Sequence, residues 1–111
     1  MSSVDENRKD LDIETEQWPS FLDEFVREHQ AQSITVEIRT ATGKLVQAKT
    51  GRLLAIEIDD AECLYIELEE TLHGSATHVI PSPVRIRLQQ QGGYEELAIS
   101  SADGRETVLL A

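Results

Sequence analysis

Two hydrophobic periods divide the chain. Phe21, Leu22, Phe25 and Val26 recur at i, i+1, i+4 and i+5, with Asp23, Glu24, Arg27 and Glu28 around them. At helical spacing this gathers the apolar four on one face and predicts an amphipathic helix. Trp18-Pro19 marks its beginning. Proline suits the first helical position, where its missing N–H has no intrahelical partner to lose, and it disfavours helical geometry in the residue before it. The helix is expected to start at Pro19, run about three turns and end near residues 30–32. A helix this short is marginal alone and needs an apolar platform. Trp18, Pro19, Phe21, Leu22, Phe25 and Val26 are its expected anchor, with the Trp18 ring capping a core while its indole N–H finds an acceptor.

From residue 34 onward the period falls to two. Ile34, Val36 and Ile38 alternate with Thr35, Glu37 and Arg39. Leu54, Ile56 and Ile58 alternate again, as do Leu64, Ile66 and Leu68 against Cys63, Tyr65 and Glu67. Val84, Ile86 and Leu88 alternate against Arg85 and Arg87, and Leu97 and Ile99 continue the pattern. Weaker strand patterns cover 45–49, 77–80 and 107–110. Residues 41–44, 59–62 and 102–104 read as hairpin loops and 50–52 as a corner, while Pro81-Ser82-Pro83 breaks the strand before it. That makes about seven or eight short strands with no helix of crossover length between them, which favours an antiparallel sheet. The expected fold is mainly β (α+β): an N-terminal amphipathic helix packed on a curved antiparallel sheet or small barrel. Residues 1–13 read as a flexible acidic arm, with Leu11 and Ile13 spaced to dock on a sheet edge, and 14–111 as one domain.

Charge narrows the partners. The chain has 111 residues, 21 of them acidic and 10 Lys or Arg, for a formal net charge of −11. Such a surface repels nucleic-acid backbones and anionic membranes, so neither is an expected partner. The longest apolar runs fall far short of a membrane span, and the polar first ten residues do not resemble a signal peptide. A cytoplasmic location is the default expectation. Cys63 is the single cysteine, so no internal disulfide can form. Its acidic neighbours disfavour a reactive thiolate.

Several ordered motifs resemble a family of small bacterial proteins classed as a domain of unknown function, family 5335. They are Trp18-Pro19-x-Phe21-Leu22-x-x-Phe25 with His29, the strand at 34–38, Thr77-His78-x-Ile80 leading through Ser82-Pro83 to Val84-Arg85-Ile86, and Leu97-x-Ile99-x-Ser101-Ala102-Asp103-Gly104 before 107–110. The resemblance covers roughly residues 14–110. Where family members carry Gly-Trp after the helix and Arg-Phe after the final leucines, this chain has Ala31-Gln32 and ends at Ala111. The resemblance implies a fold, but no reaction, cofactor or partner.

Candidate chemistry is sparse. His29, His73 and His78 lack zinc-ligand spacing, and no cofactor is expected. With an acidic neighbour, His29 or His78 is the general base of the enzymatic alternative. The acids are the stronger signal. No Lys or Arg occurs between Leu53 and Val84, while Glu57, Asp59, Asp60, Glu62, Glu67, Glu69 and Glu70 do. Glu57 and Glu67 are expected to face each other across a hairpin, where like charges are unfavourable and a basic partner brings relief. Asp59, Asp60 and Glu62 at its tip are a candidate calcium or magnesium site, although the full calcium-loop pattern is missing. The sequence therefore favours a non-enzymatic, acidic structural or protein-interaction module. Self-association through strand pairing and binding of a basic protein are its expected partnerships.

Overall fold

The computed structural model describes residues 8–30, 32–59, 63–70, 74–91 and 93–111. Strand β1 (Arg8–Ile13) leads through a 3-10 turn (Thr15–Gln17) into helix α1 (Trp18–His29). Seven strands follow: β2 (Ser33–Arg39), β3 (Leu45–Ile58), β4 (Cys63–Glu70), β5 (Gly74–Pro81), β6 (Pro83–Gln91), β7 (Tyr94–Ser101) and β8 (Glu106–Leu110). All pair antiparallel in one eight-stranded sheet of order β1-β6-β7-β8-β2-β3-β4-β5. The fold is thus mainly β, with one N-terminal helix packed on the sheet.

The sheet must curl. β5 and β6 stand six places apart in the order, about 29 Å in a flat sheet at ~4.8 Å per strand. Yet Ser82 alone separates Pro81 from Pro83, a span of at most about 7 Å. Only curvature brings those strand ends together. Ser82 makes the corner with φ at 49°, a left-handed conformation unusual for a residue with a side chain.

One face of the curled sheet is the core. Leu88, Leu97, Leu109 and Val36 stand side by side across four strands. Leu53, Ile56, Leu64, Ile66, Leu68 and Ile80 continue the same face through β3, β4 and β5. Helix α1 lies chiefly against β3 and buries Trp18, Leu22 and Phe25, with Phe21 and Val26 at the margin. The helix anchor is as its periodicity predicts, apart from Pro19, which stays exposed. The Trp18 indole N–H donates to the Ile13 carbonyl at 2.9 Å, tying the helix to the end of β1.

Four local expectations are corrected. Trp18 is itself helical, with φ −54° and ψ −49°, because it continues the preceding 3-10 turn. Residues 50–52 are not a corner: β3 runs through them, its first half pairing with β2 and its second with β4. Gly51 permits this passage, since a Cβ there would stand 2.8 Å from the Glu69 carbonyl oxygen. The inward residue at the start of the next stretch is Leu53 and not Leu54, because an irregularity between Leu53 and Ala55 turns Leu54 outward. A similar shift between Pro83 and Arg85 exposes Val84.

Candidate interaction surface

A strand at the end of a sheet leaves half of its backbone N–H and C=O groups unpaired. The two ends here are β1 and β5. β5 reads Gly-Ser-Ala-Thr-His-Val-Ile-Pro, with no Asp, Glu, Lys or Arg. β4 is the one element with which it makes extensive contact among the described residues. Ile80, Ala76 and His78 turn toward the core face, while Ser75, Thr77 and Val79 face outward and Val79 is 55% exposed.

The outward faces of β3, β4 and β5 adjoin this edge. Tyr65 stands between Glu57 and Val79, and Glu67 stands beside Thr77. Ala55, Glu57, Tyr65, Glu67 and Thr77 line an open cleft of about 290 Å³. Glu57 and Glu67 are diagonal neighbours across it and not directly opposed, because the register pairs Glu57 with Tyr65 and Glu67 with Ala55. Neither has an ion-pair partner among the described residues.

The other acids are dispersed. Arg52 of β3 pairs with Glu69, and Lys49 of β3 lies 3.5 Å from Glu70. Asp59 accepts from the Cys63 backbone N–H at 2.9 Å and from the Tyr65 hydroxyl at 2.8 Å. That acceptance pushes the Tyr65 phenol up to about 12. Asp60 and Glu62 lie outside the described residues, as does His73. Among the described residues no three His, Cys, Asp or Glu groups converge in a metal-binding arrangement. No helix there is long and apolar enough to cross a membrane.

His78 belongs to the edge strand but to its core side. Its Nε2 is buried without a hydrogen-bond partner among the described residues. Burial, aided by nearby Lys49 and opposed by Glu70, holds its imidazole below the ordinary value. Tyr65 and His78 lie on opposite faces of the sheet, so no single cavity collects both.

His29 is held elsewhere. Its Nε2 meets the Glu95 carboxylate, and its Nδ1 lies 2.7 Å from the Gln32 side-chain oxygen. Gln90 donates to the other Glu95 oxygen, and the Phe25 ring packs at 4.5 Å. An imidazole with both nitrogens engaged ties the helix end to β7. Glu95 is a residue that sequence reasoning did not single out, and it lies 66 positions from its partner. A larger cleft of about 620 Å³ lies at the Ser82 corner, walled by Trp18, Pro19, Ile58, Pro83 and Val84.

A model of the family DUF5335, a family of unknown function, matches residues 9–110. This chain is a DUF5335 protein. The match runs from β1 to the end of β8, so the DUF5335 unit contains both sheet edges. Comparison of this DUF5335 chain with curated proteins and with solved structures yields no match.

Proposed function

We propose that the protein is a non-enzymatic, cytoplasmic interaction module whose working surface is the free edge of β5. That edge accepts a further extended strand, from a second copy or from another protein. The observation that carries the reading is an eight-residue edge strand without one charged side chain, in a chain of net charge −11. Natural sheets block their edges with charge, proline or a covering element. Here Pro81 stands only at the extreme end of the strand. Backbone pairing supplies the affinity in strand addition, and alternate side chains supply the selectivity.

Amide hydrogen exchange tests it. The protein is followed over a concentration series, and then with short synthetic strands of neutral, acidic and basic sequence. Slowed exchange within 74–81 in any of these is the expected result. Unchanged exchange there in all of them overturns the reading.

A further inference from the structure

We infer that the strand accepted by β5 is a basic extended segment of another protein, not a second copy of this chain. The inference rests on the edge-pairing reading above and adds the chemistry of the partner.

Charge complementarity selects it. β4 and β5 together contain no Lys or Arg, and the two β3 cations nearest them already face Glu69 and Glu70. Glu57 and Glu67 remain, in a cleft whose outer wall is Thr77 of the edge strand itself. Thr77 pairs directly with Glu67 across β4 and β5. A strand added to β5 would lie two strand spacings, about 9–10 Å, from Glu67. Its side chains would project onto the cleft face at every second residue. A Lys or Arg there would lay its apolar stem over Thr77 and Val79 and bring its charged end toward the two carboxylates.

A second copy paired β5 to β5 offers no such answer. Its own β4 and β5 present the same acids and no cation. Antiparallel pairing of two β5 strands would place the two Glu67 side chains on strands about 14 Å apart, leaving all four cleft acids unmatched. An acidic segment would add to the repulsion.

The test uses the full chain and a short synthetic peptide alternating valine and lysine, N-methylated along one edge so that it cannot pair with itself. A glutamate-for-lysine version is the control. Binding is read by titration, its site by exchange at 74–81, and self-association by sedimentation. The lysine peptide is expected to bind and protect β5, and to bind more weakly as salt shortens the screening length from about 10 Å toward about 3 Å. The glutamate peptide is expected not to bind. Val79→Lys should weaken the lysine peptide about fivefold, whereas Val79→Glu should preserve or strengthen it. Glu57→Gln with Glu67→Gln should also weaken it about fivefold, with the fold retained because both acids are surface groups.

If the wild type dimerises through β5 and both Val79 substitutions abolish the dimer, the basic-segment inference is overturned while the edge reading stands. Equal binding of both peptides has the same consequence. Failure of any strand or second copy to protect 74–81 removes both.

Discussion

The two edges of this sheet solve the same physical problem in opposite ways. β1 carries Arg8, Lys9, Asp10 and Asp12 in six residues, so a flat neutral strand cannot be laid against it without stranding charge. It is also fastened. Asp12 accepts from Arg85 at 2.8 Å and 3.0 Å, and the Ile13 carbonyl receives the Trp18 indole. β5 has no Asp, Glu, Lys or Arg, and among the described residues β4 is its one extensive neighbour. A chain rich in acids thus concentrates charge on one edge and omits it from the other. The difference teaches that composition alone does not guard an edge; placement does.

The largest break in the comparison comes where β1 meets the core. Trp18→Ala should cost about 3–5 kcal/mol, since it removes a buried ring and the bond to Ile13. Trp18→Phe should cost about 1 kcal/mol, the net worth of the lost hydrogen bond. Urea denaturation measures both. A negligible cost for Trp18→Phe would show that the indole bond does not fasten β1.

Next comes the passage behind β5. Gly51→Ala should cost about 1–3 kcal/mol, because the new methyl meets a backbone carbonyl that cannot swing aside. Exchange should rise in β4 and β5, the strands stacked beyond that contact, and not in β1. Loosening of both edges alike would mean that the sheet yields as one unit.

These particulars show what was legible from sequence. The helix anchor was, because Leu22 and Phe25 recur with the helix's own period. The strand patterns at 34–38 and 64–68 were, because one face is buried throughout. Leu53 was not, since an irregularity beside it resets the alternation and periodicity cannot see an extra residue. β1 was hard to see as a strand because Leu11 and Ile13 are its whole apolar content. Strand order was hidden most. One residue joins β5 to β6, which suggests neighbours, yet long-range pairing sets them six places apart. The edge status of β5, and with it the candidate surface, follows from that order. The acidic stretch was visible, but the pairing of Glu69 and Glu70 with Arg52 and Lys49 depends on the path of β3.

A smaller effect separates the edges by function and not by stability. Val79→Lys and Leu11→Lys each place a cation on an exposed position, one per edge, Val79 on the outward face and Leu11 opposite Leu88 at the rim of the inner face. Both should change stability by no more than about 0.5 kcal/mol. Only Val79→Lys should weaken pairing with the lysine-bearing synthetic strand, about fivefold, read by titration and by exchange at 74–81. Equal loss in the Leu11→Lys variant would place the working edge at β1.

The smallest effect is in acid, and its order distinguishes the edges. The His78 imidazole sits below its ordinary 6.5 because burial penalises its cation, with Lys49 adding and Glu70 opposing. The unfolded chain therefore takes up that proton first. The contribution is complete above pH 6.5 and is lost as pH falls through the lower folded value. The Asp12 carboxyl lies below its ordinary 3.8, chiefly through its hydrogen bond from Arg85; desolvation opposes this, and the charges of Arg85 and Arg87 assist. Its contribution is complete above pH 3.8 and is lost as pH falls through a value lower still. Acid should thus weaken the β5 side before the β1 side. His78→Leu should flatten the first window and leave the second, because it removes a buried nitrogen that lacks a partner along with its titration. Asp12→Asn should do the reverse. Urea midpoints measured against pH for the wild type and both variants isolate each group as a difference. If the His78→Leu difference is flat from neutral pH to the carboxylate range, His78 does not set the acid sensitivity of β5.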